Sequence, residues 1–270
     1  QTLPTNYDDV IAYDFDGKKI PEAELEYYGT EYEELMALME SEGEKLNTDI
    51  SIENLMKKTL TGEELSPKDL RMLNWIVATQ VTASGEDFDR LSAFYTDSDQ
   101  SFEGGDRLFP KGYDQIVQRL SKNLKIKLEH KVLSIQYGKN GVAVETDRGI
   151  FEADFAVITL PLGVLKTNKI RFSPELPDWK KEAIDGLQMG TLNKVALKFP
   201  SSFWDKKTEF IGYVSKEKGM FPTMLNWHYY TKLPILMVFT GGSFARSLES
   251  QSEKKSDLVY HDSPSKNLRF

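Results

Sequence analysis

Lys194 stands in Gly190-Thr-Leu-Asn-Lys-Val-Ala-Leu-Lys-Phe199, at the head of an apolar run. An amine withdrawn from water loses its charge more easily and can then take up a proton. Taken alone, Lys194 reads as a surface lysine at a strand start. A second motif, Phe155-Ala-Val-Ile-Thr-Leu-Pro-Leu-Gly-Val-Leu-Lys166, is an apolar run cut off at Pro161 and Gly163, with Thr159 and Leu160 at its end. A third, Phe102-Glu-Gly-Gly-Asp-Arg-Leu-Phe-Pro-Lys-Gly-Tyr113, sets a glycine pair and a lone glycine before a helix. Glycine permits tight turns and close approach of the backbone to another element or a ligand. Asp97 and Asp99 lie in an acidic stretch that reads either as a cation attractant or as a solvated loop.

Other chemistries fail on spacing. Asp97-Ser-Asp-Gln-Ser-Phe102 begins like a calcium loop, but Phe102 stands where glycine is needed and no bidentate glutamate closes the loop. His130, His228 and His261 are far apart, each without a companion at ligand spacing, so no metal site is expected. No nucleophile elbow and no phosphate-binding Walker loop occurs. The Gly-x-Gly-x-x-Gly turn that cradles a dinucleotide pyrophosphate is also missing, so a bound dinucleotide would need that turn from elsewhere.

A chain of 270 residues suits one large domain or two modest ones, and its composition is that of an ordinary soluble globular protein. The absence of cysteine removes disulfides, thiolate metal sites and a cysteine nucleophile. A formal net charge of -8 argues against nucleic-acid binding and is compatible with a cationic ligand. No apolar stretch approaches the roughly 20 residues that span a bilayer, and the first residues do not read as a secretory signal. A cytoplasmic location is the expectation.

Several elements must position these motifs. Asp9 to Ile20 reads as two short strands about an Asp16-Gly17 turn. A helix is predicted from about Pro21 to Ser41, a second around Ile52, Leu55 and Met56, and a third beginning at Ser66-Pro67. A further helix follows Gly112. Strands are then predicted at Lys125–Glu129 and Val132–Tyr137, with an Asn140-Gly141 hairpin into Val142–Thr146 and another strand at Ile150-Phe151. The run from Phe155 to Leu160 reads as a strand buried on both faces. A helix over Pro177–Leu187 is expected to bury Trp179, Ala183, Ile184 and Leu187. Strands follow near 192–199, 209–215, 222–229 and 234–240, and Ser252–Phe270 reads as a polar tail.

In order and wording the chain resembles the flavin amine oxidases: polyamine oxidases, monoamine oxidases and lysine-specific histone demethylases. The resemblance runs from about Asp9 to Glu249. It is strongest in Thr159-Leu-Pro-Leu-Gly-Val-Leu-Lys166 with Phe172-x-Pro-x-Leu-Pro-x-Trp179, and in Leu192-Asn-Lys-Val with Phe203-Trp-Asp205. The Phe102-Glu-Gly-Gly-Asp wording is most like polyamine oxidases. The resemblance implies an α+β fold: a helical lobe and a mixed β-sheet substrate domain, with the middle segment of an FAD-binding α/β domain. Residues 1–103 and 191–251 would form the substrate part and 104–190 the flavin segment, with 252–270 as the tail. Val132 would then meet the adenine end of FAD through its backbone. Thr159, Leu160 and Pro161 would lie along the cofactor, Lys194 would hold a water near the flavin, and Asp97 and Asp99 would border the substrate cavity.

The resemblance also implies two flavin-binding segments that these residues do not contain: an N-terminal glycine loop and a C-terminal Gly-Glu motif. The chain then reads as an internal part of an FAD-dependent oxidase of a polyamine or other amine, with O2 as acceptor, that holds FAD weakly or not at all by itself. The alternative is a catalytically inactive truncated relative or binding module. Neither a nucleic-acid nor a membrane partner is expected, and no helical tower insertion of the demethylase kind is visible between Leu55 and Ser101.

Overall fold

The computed structural model describes residues 2–95 and 104–250. The chain divides into two compact units, one formed by Gln1–Pro110 with Gly190–Phe270 and the other by Lys111–Met189. The fold is α+β, with helices and mixed sheets. Among the described residues no helix is long and apolar enough to cross a membrane.

The first unit begins with β1 (Leu3–Pro4), β2 (Val10–Asp14), α1 (Glu22–Gly43), α2 (Ile52–Thr59), α3 (Pro67–Ser84) and β3 (Arg107–Leu108). The Asp16-Gly17 signal makes a turn, with Gly17 at φ 81° and a single bridge between Tyr13 and Lys19 in place of a second strand. The start of α3 is set as its sequence implies. Ser66 Oγ accepts from the Asp69 amide at 3.2 Å, and Asp69 returns the bond to the Ser66 amide at 3.0 Å, with Pro67 opening the helix. Gly85 ends it in the left-handed region at φ 73°. Helices α1, α2 and α3 close on one another around Met39, Leu55, Met56, Val77 and Val81.

The second unit holds α4 (Asp114–Leu120), β4 (Val132–Gly138), β5 (Gly141–Thr146), β6 (Gly149–Ala153), α5 (Leu162–Lys166), β7 (Arg171–Ser173) and α6 (Asp178–Gly186). Its sheet runs β6-β5-β4-β7, antiparallel except for the β4/β7 pair. The hairpin forms with Lys139-Asn140 at its tip, because Gly141 is drawn into the ladder opposite Gly138.

Three expectations fail in this unit. Lys125–Glu129 alternates but forms no strand, since none of the described strands pairs with it. Phe155–Leu160 is not a strand buried on both faces. It pairs with no strand, and Phe155 and Val157 are 89% and 90% exposed. Trp179, Ala183 and Leu187 are exposed rather than core, because within the unit α6 packs chiefly on α5 and only Ile184 of the expected stripe is half-buried.

The chain returns to the first unit with β8 (Leu192–Lys198), β9 (Phe210–Val214), β10 (Thr223–Asn226), α7 (Trp227–Thr231), β11 (Ile235–Gly241) and α8 (Gly242–Glu249). Here the sheet order is β2-β9-β10-β11-β8, with β2 parallel to β9 and all other pairs antiparallel. One face forms the principal core with Tyr13, Ile211, Tyr213, Met224, Leu236 and Val238. Helix α3 packs on the sheet at β9, β11 and β8. It approaches β9 so closely that a Cβ on Gly212 would lie 2.5 Å from the Trp75 ring.

Candidate functional site

Lys194 is the third residue of β8, an edge strand, and the ladder places it opposite Phe239 of β11. Side chains alternate across a strand. Asn193, Val195 and Leu197 therefore turn inward, while Leu192, Lys194, Ala196 and Lys198 turn to the open side. The Lys194 Nζ lies 5.7 Å from the centre of the Phe239 ring, within cation–π range. Its side chain is exposed, so the described residues place it on a partly apolar, solvent-open face. Sequence reading missed Phe239, because strand register is not visible along the chain.

Backbone contacts without side chains fix where β8 begins. The Thr191 amide donates to the Gly85 carbonyl at 2.6 Å, and the Gly242 amide donates to the Thr191 carbonyl at 3.0 Å. A Cβ on Gly190 would come within 2.6 Å of the Gly85 oxygen, and one on Gly241 within 2.3 Å of the Val81 oxygen. The end of α3, the start of β8 and the end of β11 thus meet backbone to backbone. On the inward face, the Asn193 side-chain Nδ2 donates to the Ala245 carbonyl at 3.0 Å and ties β8 to α8.

The Phe203-Trp-Asp205 segment proves to be an anchor. Trp204 is buried and donates its indole N–H to Asn226 Oδ1 at 2.8 Å. Asn226, fully buried, donates in turn to the Asp205 carbonyl at 2.9 Å and the Thr208 carbonyl at 2.7 Å. Asp205 Oδ1 accepts from the Lys207 and Thr208 amides at 2.7 and 2.9 Å. Although burial pushes its carboxyl pKa up, these bonds outweigh that and hold it below the ordinary value.

Val132 opens β4 in the second unit and is half-buried. Lys131 turns both its amide and its carbonyl to Asp147. Alternation therefore directs the amide and carbonyl of Val132 to the opposite edge, where β7 pairs only with Ser134 to Gln136. Thr159 is exposed and Leu160 half-buried, and Pro161 caps the short helix α5 with φ -55°. These residues share the second unit, whereas Lys194 belongs to the first. Asp97 and Asp99 lie outside the described residues.

His130 and His228 each have a hydrogen-bond partner, and His261 lies outside the described residues. His130 Nδ1 lies 2.7 Å from the Leu128 carbonyl, and His228 Nδ1 lies 2.9 Å from Ser202 Oγ.

The sequence profile described as "Flavin containing amine oxidoreductase" matches residues 4–259. The chain belongs to the flavin-containing amine oxidoreductase family. It is 34% identical over 246 residues to "Polyamine oxidase 2" of Arabidopsis thaliana, covering 90% of this chain and 50% of that protein. It is 33% identical to "Polyamine oxidase 5" of Oryza sativa subsp. japonica, covering 90% and 50%. Over 186 residues it is 39% identical to "Lysine-specific histone demethylase 1 homolog 1" of Arabidopsis thaliana, covering 67% of this chain and 22% of that protein. The chain spans about half the length of the polyamine oxidases it matches.

Proposed function

We propose that this chain carries the substrate-side sheet and the middle flavin segment of an FAD-dependent oxidase that oxidises a C–N bond of a polyamine, with O2 as acceptor. The observation that carries this reading is the presentation of Lys194 beside Phe239 on the open face of the β8–β11 ladder, in a chain of the amine oxidoreductase family. FAD, when bound, supplies the two-electron chemistry by accepting hydride from the carbon next to the amine nitrogen.

The residues present fit that group at two points. The backbone edge of Val132 that no described strand of the unit pairs suits the amide-reading of a nucleobase, and residues 159–161 form a partly exposed irregular stretch leading into α5 that is suited to lie along it. Lys194 would hold a water at the reacting end through its Nζ, and the apolar surface of Leu192 and Phe239 would help exclude bulk solvent once covered. Binding and orienting the amine then fall to the substrate side of the fold, where Asp97 and Asp99 are the acidic candidates for a polyammonium chain. A polyamine is preferred over a histone tail on the strength of the named relatives with the longest coverage of this chain.

The test is to supply FAD to the purified chain and add spermidine without oxygen. Retained flavin that spermidine bleaches, and that air restores, is the expected result for the oxidase. Retained flavin that no amine bleaches overturns it. A second reading, a catalytically silent binding module, is favoured by the exposed apolar run at Phe155–Ile158, which offers surface to a partner. Failure to retain flavin, even after reconstitution, would exclude independent catalysis by this chain, which is expected to hold FAD weakly or not at all by itself.

A further inference from the structure

A groove of about 870 Å3 lies between the C-terminal half of α1, α2 and Ala93–Tyr95, on a side of the first unit built from elements other than β8 and β11. Its floor is apolar, with Met36, Met39, Leu55 and Phe94 among the lining residues, and Glu40 and Glu44 stand at its α1 side. Phe94 is 42% and Tyr95 74% exposed, and Leu38 nearby is 53% exposed. Methionine adapts its shape readily, which suits a surface that receives another chain.

The charge around this groove is one-sided. Helix α1 carries eight glutamates and no lysine or arginine. Its last turn contains no basic residue, although cations are the side chains favoured at the negative end of a helix dipole. Glu40, Glu42 and Glu44 crowd that end instead. Glu40 and Glu44 are four apart, a like-charge spacing that destabilises a helix. Lys45 and Lys58 pair with Glu42, but Glu33, Glu34, Glu40 and Glu44 make no ion pair among the described residues. The two lysines at this end are taken up by Glu42, which leaves Glu40 and Glu44 without a cation among the described residues, beside exposed apolar surface.

We propose that this groove is a docking site for a basic amphipathic segment of a partner protein. Its apolar residues would seat on Met36, Leu55 and Phe94, and its lysines or arginines would meet Glu40 and Glu44. This is helix-in-groove recognition with electrostatic complementarity setting the choice of partner. A small cation alone would answer the charge but leave the apolar floor exposed, which is why a peptide is the better match.

The probe is a fluorescein-labelled helical peptide with leucines at i, i+3, i+4 and i+7 and lysines elsewhere. Binding to the full chain is read by anisotropy, and the methyl signals of [13C-methyl]methionine-labelled chain locate it. Met36 is assigned by its loss in Met36→Leu. The lysine peptide should bind and shift the Met36 methyl, more weakly as salt is raised, and a glutamate version should not bind. Glu40→Lys with Glu44→Lys should weaken binding by about tenfold or more, while thermal stability does not fall, because both side chains are exposed and cations suit this end of the helix. Affinity indifferent to that double reversal, or a stationary Met36 methyl at saturation, would overturn the proposal. So would spermidine alone displacing the peptide and producing the same methyl shift, which would make the groove a small-cation site.

Discussion

Lys194 and Phe239 face each other across the β8/β11 ladder, with the lysine nitrogen 5.7 Å from the ring centre. The pair sits on the face of the sheet away from the principal core, so the lysine contributes little to folding. Lys194→Met should leave stability within about 0.5 kcal/mol of the parent by urea titration. In FAD-loaded protein, the same variant should slow flavin reoxidation by O2 on the order of a hundredfold, the scale of a lost acid–base group. Equal reoxidation rates in parent and variant would remove Lys194 from the chemistry.

Three glycines should answer alanine with opposite signs. Gly241 has no space for a Cβ, because the Val81 oxygen would lie 2.3 Å away, and Gly212 faces the Trp75 ring at 2.5 Å. Gly241→Ala and Gly212→Ala should each destabilise by about 1–3 kcal/mol, the range of an overpacked core. Gly29 lies inside α1 with nothing within 4 Å of its would-be Cβ. Gly29→Ala should therefore stabilise by about 1 kcal/mol through helix propensity. Denaturant midpoints for the three variants check the ordering.

The Trp204–Asn226 bond predicts an asymmetry between two substitutions. Trp204→Phe keeps the ring but strips the buried Asn226 Oδ1 of its donor, a loss of about 1–3 kcal/mol. Asn226→Ala removes both donations to the 205–208 loop as well and should cost more than Trp204→Phe. Limited proteolysis should then cut first between Phe203 and Thr208. Equal costs with no new cleavage would show that the loop is held by other contacts.

Glu86 predicts an acid-sensitive contribution. Burial raises its carboxyl pKa, but the two-pronged bond from Arg246, at 2.8 and 3.1 Å, and the Asp87 amide outweigh burial and bring it below the ordinary value. A carboxyl whose pKa is lowered by folding adds stability above its unfolded value and loses it as pH falls through the folded value. The parent should therefore lose stability on going from pH 7 to below the ordinary glutamate value of 4.5, and Glu86→Gln should show a smaller loss over the same interval. Parallel profiles would show that the pair is not linked to protonation.

Local signals survived folding well. Ser66, Pro67, Asp69 and Gly85 mark both ends of α3, because capping bonds are made within a few residues of the helix end. The β4/β5 hairpin was equally readable, although its tip is Lys139-Asn140 and Gly141 belongs to the ladder. Readings that depended on distant partners fared worse. Phe155–Leu160 has the composition of a buried strand and Lys125–Glu129 has strand alternation, yet neither has a neighbouring strand to pair with. Trp179 has helical spacing with Ala183, but spacing says which residues share a face and not whether anything covers that face.

The order of residues alone determined the family, through motifs such as Thr159-Leu-Pro-Leu-Gly and Leu192-Asn-Lys-Val, together with the caps and turns that short-range hydrogen bonds enforce. Tertiary structure decided which side of β8 is core. Alternation puts Lys194 and Leu192 on one face and Val195 and Leu197 on the other, but only pairing with β11 and the packing of Trp204 and of Leu248 from α8 make the second face the inner one. It also decided that Gly85, Gly190 and Gly241 serve a close meeting of three backbones, and that Phe203-Trp-Asp205 anchors a loop. Burial and register are sums over contacts between segments far apart in the chain, and no local stretch of residues contains them.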